Sequence, residues 1–327
     1  MRTRGRPGAG PASPCGWAAG GDQACPGRRP SLCPRHSWLI YGRSNDATPS
    51  RRDGPGREQR VGGRFAAHEG RITGAGRRLL VLSHGFGTDQ DAWHGIRPWA
   101  DAHFRTLSYN LAGAGPGGAA TYDPRRHASL YGYVDDLLDL LDEQAVERCI
   151  FVGHSVSGVI GLAAAVARPA LFSRLVLIGA SARYLNDGAY AGGFDQSDLD
   201  GLYAGMAANY QAWCAGFAPA VVGVPDGEAI ADFSRSLFAM RPDIALATSR
   251  TIFQSDMRAL VPRLERPAHL IQTREDLAVP LGAAEWLQRN IPDATLDVIE
   301  ARGHLPHMTA PANVVAVLAR HLAGTGD

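Results

Sequence analysis

Gly153-His154-Ser155-Val156-Ser157-Gly158 leaves this chain few folds to choose from. Before it runs Cys149-Ile150-Phe151-Val152, short, apolar and partly β-branched, which predicts a buried strand. After it, residues 159–167 are small and apolar and stop at Arg168-Pro169, which predicts a buried helix ended where proline disfavours α geometry at the preceding residue. A serine pinned in a sharp strand-to-helix turn is exposed as a nucleophile, and small neighbours let the backbone pass close by. Ser157 stands where such a turn usually carries glycine. A plain Gly/Ser turn satisfies the same short pattern, so the remainder of the chain has to decide.

The 327 residues carry a formal net charge of +1, but it is unevenly spread. Residues 1–64 hold 12 Arg against 4 acidic residues, so the remainder is net negative. No lysine occurs, which excludes lysine nucleophiles, Schiff bases and a P-loop lysine. The first 64 residues also hold 12 Gly and 8 Pro and only one short apolar run, residues 37–41. Such a segment cannot bury enough surface to offset its ordering entropy and is expected to be disordered. Cys15, Cys25, Cys33 and His36 lack the paired spacing of a zinc site, so no metal is expected. The segment lacks the apolar core of a secretory signal, and its Gly/Pro density argues against an amphipathic transit helix. A basic arm on nucleic acid has no motif behind it. The folded domain is expected over 65–327.

That domain opens with a strand at residues 79–83, leading into His84-Gly85-Phe86-Gly87. Glycines there let a backbone amide point at a reacting carbonyl, and Phe86 and Val156 are the expected oxyanion donors. A strand at 104–109, an amphipathic helix at 131–142 and a strand at 175–180 continue the alternation. Together they predict an α/β architecture with a mostly parallel sheet covered by helices. From 183 to 258 β-runs vanish. Four helices are expected there, near 199–208, 210–217, 228–240 and 242–255, as a lid rich in aromatics. The sheet resumes at 268–272, followed by a turn holding Arg274-Glu275-Asp276, and again at 295–300, followed by Arg302-Gly303-His304. Ser155, Asp276 and His304 thus appear in the order of the α/β-hydrolase fold, with His304 as base and Asp276 as its orienter. Glu275 and His307 are the rivals. No run reaches the ~18 apolar residues of a membrane span.

Over residues 66–322 the chain resembles the small α/β-hydrolase family that contains the bacterial stress-signalling protein RsbQ and the plant strigolactone and karrikin receptors. The resemblance rests on residues 84–90 and Trp93, 153–157, 183–187, 192–194, 208–210, 212–219, 233–235, 240–244, 252–258 and 303–307. Ser157 is itself a habit of that family. The resemblance implies a V-shaped four-helix lid over an apolar pocket walled by Phe86, Tyr184, Phe194, Trp213, Phe217 and Phe253. It also implies a cytoplasmic serine hydrolase without cofactor, acting on a small hydrophobic ester or butenolide-like lactone. Its partner would be a PAS-domain phosphatase or an F-box protein. The extension and the regions at 110–112 and 122–124 depart from the pattern, which leaves the branch and the partner surface open. A carboxylesterase without signalling partner and a non-catalytic binding module are the alternatives. Asp-nucleophile relatives are disfavoured because Ser155 occupies the turn.

Overall fold

The computed structural model describes residues 63–322. The arginine-rich extension, its three cysteines and His36 lie outside the described residues, apart from Gly63 and Arg64. A short helix α1 (Arg64–Ala67) and strand β1 (Arg71–Thr73) precede β2 (Leu79–Ser83), α2 (Arg97–His103) and β3 (Arg105–Tyr109). Next come α3 (Gly118–Thr121), α4 (Leu130–Glu143), β4 (Cys149–His154), α5 (Val156–Ala167) and β5 (Phe172–Ile178). Four helices follow without a strand between them: α6 (Gln196–Ala208), α7 (Tyr210–Val222), α8 (Gly227–Ala239) and α9 (Pro242–Phe253). The chain then returns through β6 (Ala268–Glu275), α10 (Leu281–Asn290), β7 (Ala294–Arg302), α11 (Pro306–Thr309) and α12 (Pro311–Leu322).

The seven strands form one sheet in the order β1-β3-β2-β4-β5-β6-β7. Only β1 runs antiparallel to its neighbour. Strand periodicity sends alternate residues to opposite faces, and both faces are covered. Val81, Phe151 and Leu175 pack with Leu137 of α4 and Ile160 of α5. Leu80, Val152 and Val176 pack with Trp93, Phe104 and Leu318 on the other side. A third cluster joins Tyr210, Cys214, Phe233 and Leu237 of the lid to Leu305 and Met308 of the body. The lid therefore carries a core of its own and seats it on the loop after β7.

Two local outcomes differ from expectation. Strand β1 has three residues, none buried, so it leaves no hydrophobic period to detect. Helix α7 runs through Pro219 to Val222, past the expected end near 217. Its last turn buries Ala218, Val221 and Val222, and that packing outweighs the amide that proline cannot supply.

Candidate active site

The turn at Ser155 is sharp in the backbone itself, with φ 55° and ψ −125°. An L-residue in such a conformation stores about 1–3 kcal/mol and persists only where its surroundings enforce it. They do so through the Ser155 amide, which donates to the Ile178 carbonyl at 2.8 Å, and the Gly158 amide, which donates to the Ser155 carbonyl at 2.9 Å. A side chain at Gly158 would come within 2.5 Å of the Ala180 methyl, so glycine is required there. Ser157, by contrast, is put to use. Its hydroxyl donates to the His84 carbonyl and accepts from Ser83 Oγ, tying the turn to the end of β2.

The loop after β2 is oriented from behind. The Gly85 carbonyl accepts from Thr88 Oγ1 at 2.9 Å and from His84 Nδ1 at 2.8 Å. His84 Nε2 in turn accepts the Leu111 amide at 2.9 Å, which leaves the proton on Nδ1. Because the peptide group is planar and trans, anchoring the Gly85 oxygen turns the Phe86 N–H the opposite way. Among the described residues, neither the Phe86 nor the Val156 amide has a hydrogen-bond acceptor.

Ser155, Asp276 and His304 come from the ends of three strands and meet. His304 Nε2 lies 2.9 Å from Ser155 Oγ, and His304 Nδ1 lies 2.8 Å from Asp276 Oδ2. Asp276 Oδ1 accepts the Ala278 and Val279 amides at 2.8 and 3.0 Å, and Gln272 Nε2 donates to Oδ2 at 3.2 Å. Burial disfavours the ionised carboxylate. The charge and hydrogen bond of His304, with the two amides, outweigh it and hold Asp276 below the usual carboxylate range. An ionised Asp276 accepts from Nδ1–H, so His304 Nε2 is left to accept the serine proton. Glycine is needed before His304: Gly303 has φ 82°, and a Cβ there would land on the Val222 carbonyl oxygen.

The rivals lie elsewhere. A register shift between Thr273 and Glu275 keeps Glu275 in β6, where it pairs at the surface with Arg302 at 2.6 Å. Asp276 is instead the first residue beyond the strand. His307 is fully buried against Trp93 at 4.7 Å and does not reach Asp276. Burial first, then the neighbouring histidines, push its pKa down to about 3.

A narrow apolar cavity lies beside Phe86 and Val156. Leu111, Ala112, Leu130, Tyr133, Met240 and Ile252 are among its lining residues. Of the six aromatics expected as wall, Phe86 lines it. Tyr184 instead sends its hydroxyl to within 3.3 Å of Ser155 Oγ. Phe253 sits edge-on to Tyr184 at 5.2 Å and beside Phe194 at 5.5 Å. Trp213 and Phe217 stack on each other at 4.5 Å along α7. The loop at 110–112, read from sequence only as divergent, lines this cavity through Leu111 and Ala112. Its position directly after a parallel strand was the available signal, since ligands gather at the carboxyl ends of such strands.

Against known proteins, the profile of the group described as "Alpha/beta hydrolase family" matches residues 80–317. "Karrikin insensitive 2 receptor CA" of Petunia hybrida is 47% identical over 258 residues, 78% of this chain and 96% of the relative. "Strigolactone esterase D14" of Arabidopsis thaliana is 45% identical, over 77% of this chain and 95% of that protein. Among solved structures, a hydrolase from Oleispira antarctica superposes with a TM-score of 0.77 at 29% identity, over 80% of this chain and 97% of its own.

Proposed function

The chain belongs to the alpha/beta hydrolase family, and on that footing we propose that it cleaves a small apolar ester or lactone through an acyl-enzyme on Ser155. The observation that supports this most directly is the relay from Asp276 through His304 to Ser155, opening beside two unpaired amides and an apolar cavity. His304 Nε2 takes the proton as Ser155 Oγ bonds to the substrate carbonyl carbon. The carbonyl π electrons move to oxygen, and the Phe86 and Val156 amides donate to that oxyanion. As it collapses, the alkoxide leaves and takes the proton from His304; from a lactone it stays tethered to the acyl group. Water, deprotonated by His304, then releases the acid and restores Ser155. No step draws on a cofactor or metal.

The pocket argues for a compact, apolar ligand: it is narrow, and its named lining is apolar apart from the Tyr133 and Thr248 hydroxyls and His84. The relatives named as a karrikin receptor and a strigolactone esterase support a small-molecule ligand and a signalling role. A butenolide-like lactone, a cytoplasmic location and a partner of the PAS-domain phosphatase or F-box kind are what the family resemblance adds to the proposal. The test is a fluorogenic butenolide with wild type beside Ser155→Ala, read by fluorescence and intact-protein mass. Release and an acyl adduct on wild type alone are expected, with turnover at least ~10⁴-fold lower in the variant. Equal release by both proteins removes Ser155 from the chemistry. Turnover of an aryl acetate but not the butenolide leaves a general carboxylesterase.

A further inference from the structure

His154, the last residue of β4, has no role in the steps above. It is buried, yet packing alone does not ask for an imidazole there. Among the described residues its Nδ1 has no hydrogen-bond partner, so the ring's one polar contribution is the donor on Nε2. Its one hydrogen bond runs from Nε2 to the His304 carbonyl oxygen at 2.8 Å. A carbonyl only accepts, so Nε2 carries the proton and the tautomer is set.

The same loop is held from the opposite side. The His304 amide donates to the Val221 carbonyl, at the end of α7, at 2.9 Å. The peptide groups on both sides of His304 are therefore gripped, one by the lid and one by the strand that carries Ser155. The ring of His154 also lies 4.8 Å from that of His304 and 4.3 Å from that of His307. Burial, then the two neighbouring histidines, keep it well below the ordinary histidine range, so no fixed positive charge faces the imidazolium that forms on His304.

We propose that His154 is a positioning residue: it holds the His304 carbonyl from the strand end bearing the nucleophile and so sets the separation of Nε2 from Ser155 Oγ. The inference rests on the hydrolytic reading above. It predicts that the donor at this position matters to the chemical step rather than to substrate binding.

The test compares wild type with His154→Gln, whose amide nitrogen reaches the same carbonyl, and His154→Met, which fills the space without a donor. One readout is hydrolysis of the fluorogenic butenolide or an aryl acetate. The other is the downfield proton NMR resonance of the His304–Asp276 hydrogen bond, which needs no turnover. His154→Met is expected to lower kcat by about 10- to 100-fold with KM little changed, and to shift or broaden the resonance. His154→Gln is expected to recover both. If thermal melting shows the Met variant unfolded, His154→Asn replaces it, since its shorter amide falls short of the carbonyl. A folded Met or Asn variant with wild-type kcat and an unmoved resonance overturns the proposal, as does a Gln variant no better than Met. Failure of the hydrolytic reading is a separate result: Ser155→Ala would then turn over like wild type, while the resonance still reports on His154.

Discussion

Two buried histidine–aspartate pairs of equal length lie in this molecule and are built for opposite ends. His304 Nδ1 meets Asp276 at 2.8 Å, and His127 Nε2 meets Asp136 at 2.8 Å. The difference lies in what surrounds them. Asp136 also receives Arg64 at 2.9 Å and Arg126 at 2.8 Å, and the far nitrogen of His127 accepts the Asp123 amide at 2.9 Å. Every position there is taken by a donor that cannot leave. Asp276 is supported by two backbone amides and Gln272, and the far nitrogen of His304 faces a hydroxyl whose proton can move. On the hydrolytic reading proposed above, a buried His–Asp pair acts as a clamp when its second nitrogen is saturated and as a base when that nitrogen meets a mobile proton.

Asp276→Asn separates the two most widely. It is expected to lower kcat by ~10⁴-fold, because an amide stabilises the wrong imidazole tautomer. The loss of melting temperature should be smaller than at Asp136, since among the described residues no guanidinium group leans on Asp276. Steady-state kinetics beside a thermal melt read both. Asp136→Asn should do the reverse. Asparagine removes the buried charge and leaves one acceptor oxygen where His127, Arg64 and Arg126 converge, although both guanidinium groups keep Asp139. The change costs about 3 kcal/mol in chemical denaturation, with kcat altered by less than an order of magnitude. Loss of activity on the scale of Asp276→Asn would erase the distinction between clamp and base.

Acid should widen the contrast. Burial opposes ionisation of Asp136, but His127, His68 and Arg126 outweigh it and hold the carboxyl below its ordinary range. Asp276 is lowered too, and Arg258 with other donors takes Asp256 down to about 2. Carboxylates depressed by folding contribute stability above their unfolded pKa, about 4, and lose it as pH falls through the folded value. Wild-type unfolding free energy should begin to fall below about pH 6.5, where the buried neutral histidines would protonate on unfolding. It should therefore fall more steeply from about pH 4 toward pH 2, and Asp136→Asn should show a shallower fall below about pH 4. An unchanged slope in that variant would remove Asp136 from the account. The smallest effect is expected at the root of the lid, where Arg258 pairs with Asp187 at 2.6 Å and Asp256 at 2.7 Å near the surface. Arg258→Ala should cost about 1 kcal/mol or less, and added salt should shrink the difference between the two melts.

Much of this was legible beforehand, for local reasons. Apolar runs marked β2, β4, β5 and β6 because strands covered on both faces need no alternation. The turn at Ser155 was legible because only small residues fit where α5 leaves β4. The lid helices announced themselves by period. Asp276 before His304 followed from one acid and one histidine standing after successive strands. Helix α7 was read short because proline is a local signal, whereas the packing that carries the helix past it is not.

Patterns along the chain were enough for the alternation of strands and helices, the nucleophile turn, and the order of serine, acid and histidine. Which acid meets His304 is decided only in three dimensions: a one-residue shift at the end of β6 turns Glu275 out to Arg302 and leaves Asp276 against His304. The same holds for Leu111 and Ala112 as walls of the cavity, and for His154 reaching a carbonyl 150 residues away. The divide is one of range. Periodicity and turn chemistry act between neighbours in the chain, whereas a hydrogen bond or a cavity wall depends on where distant strands end.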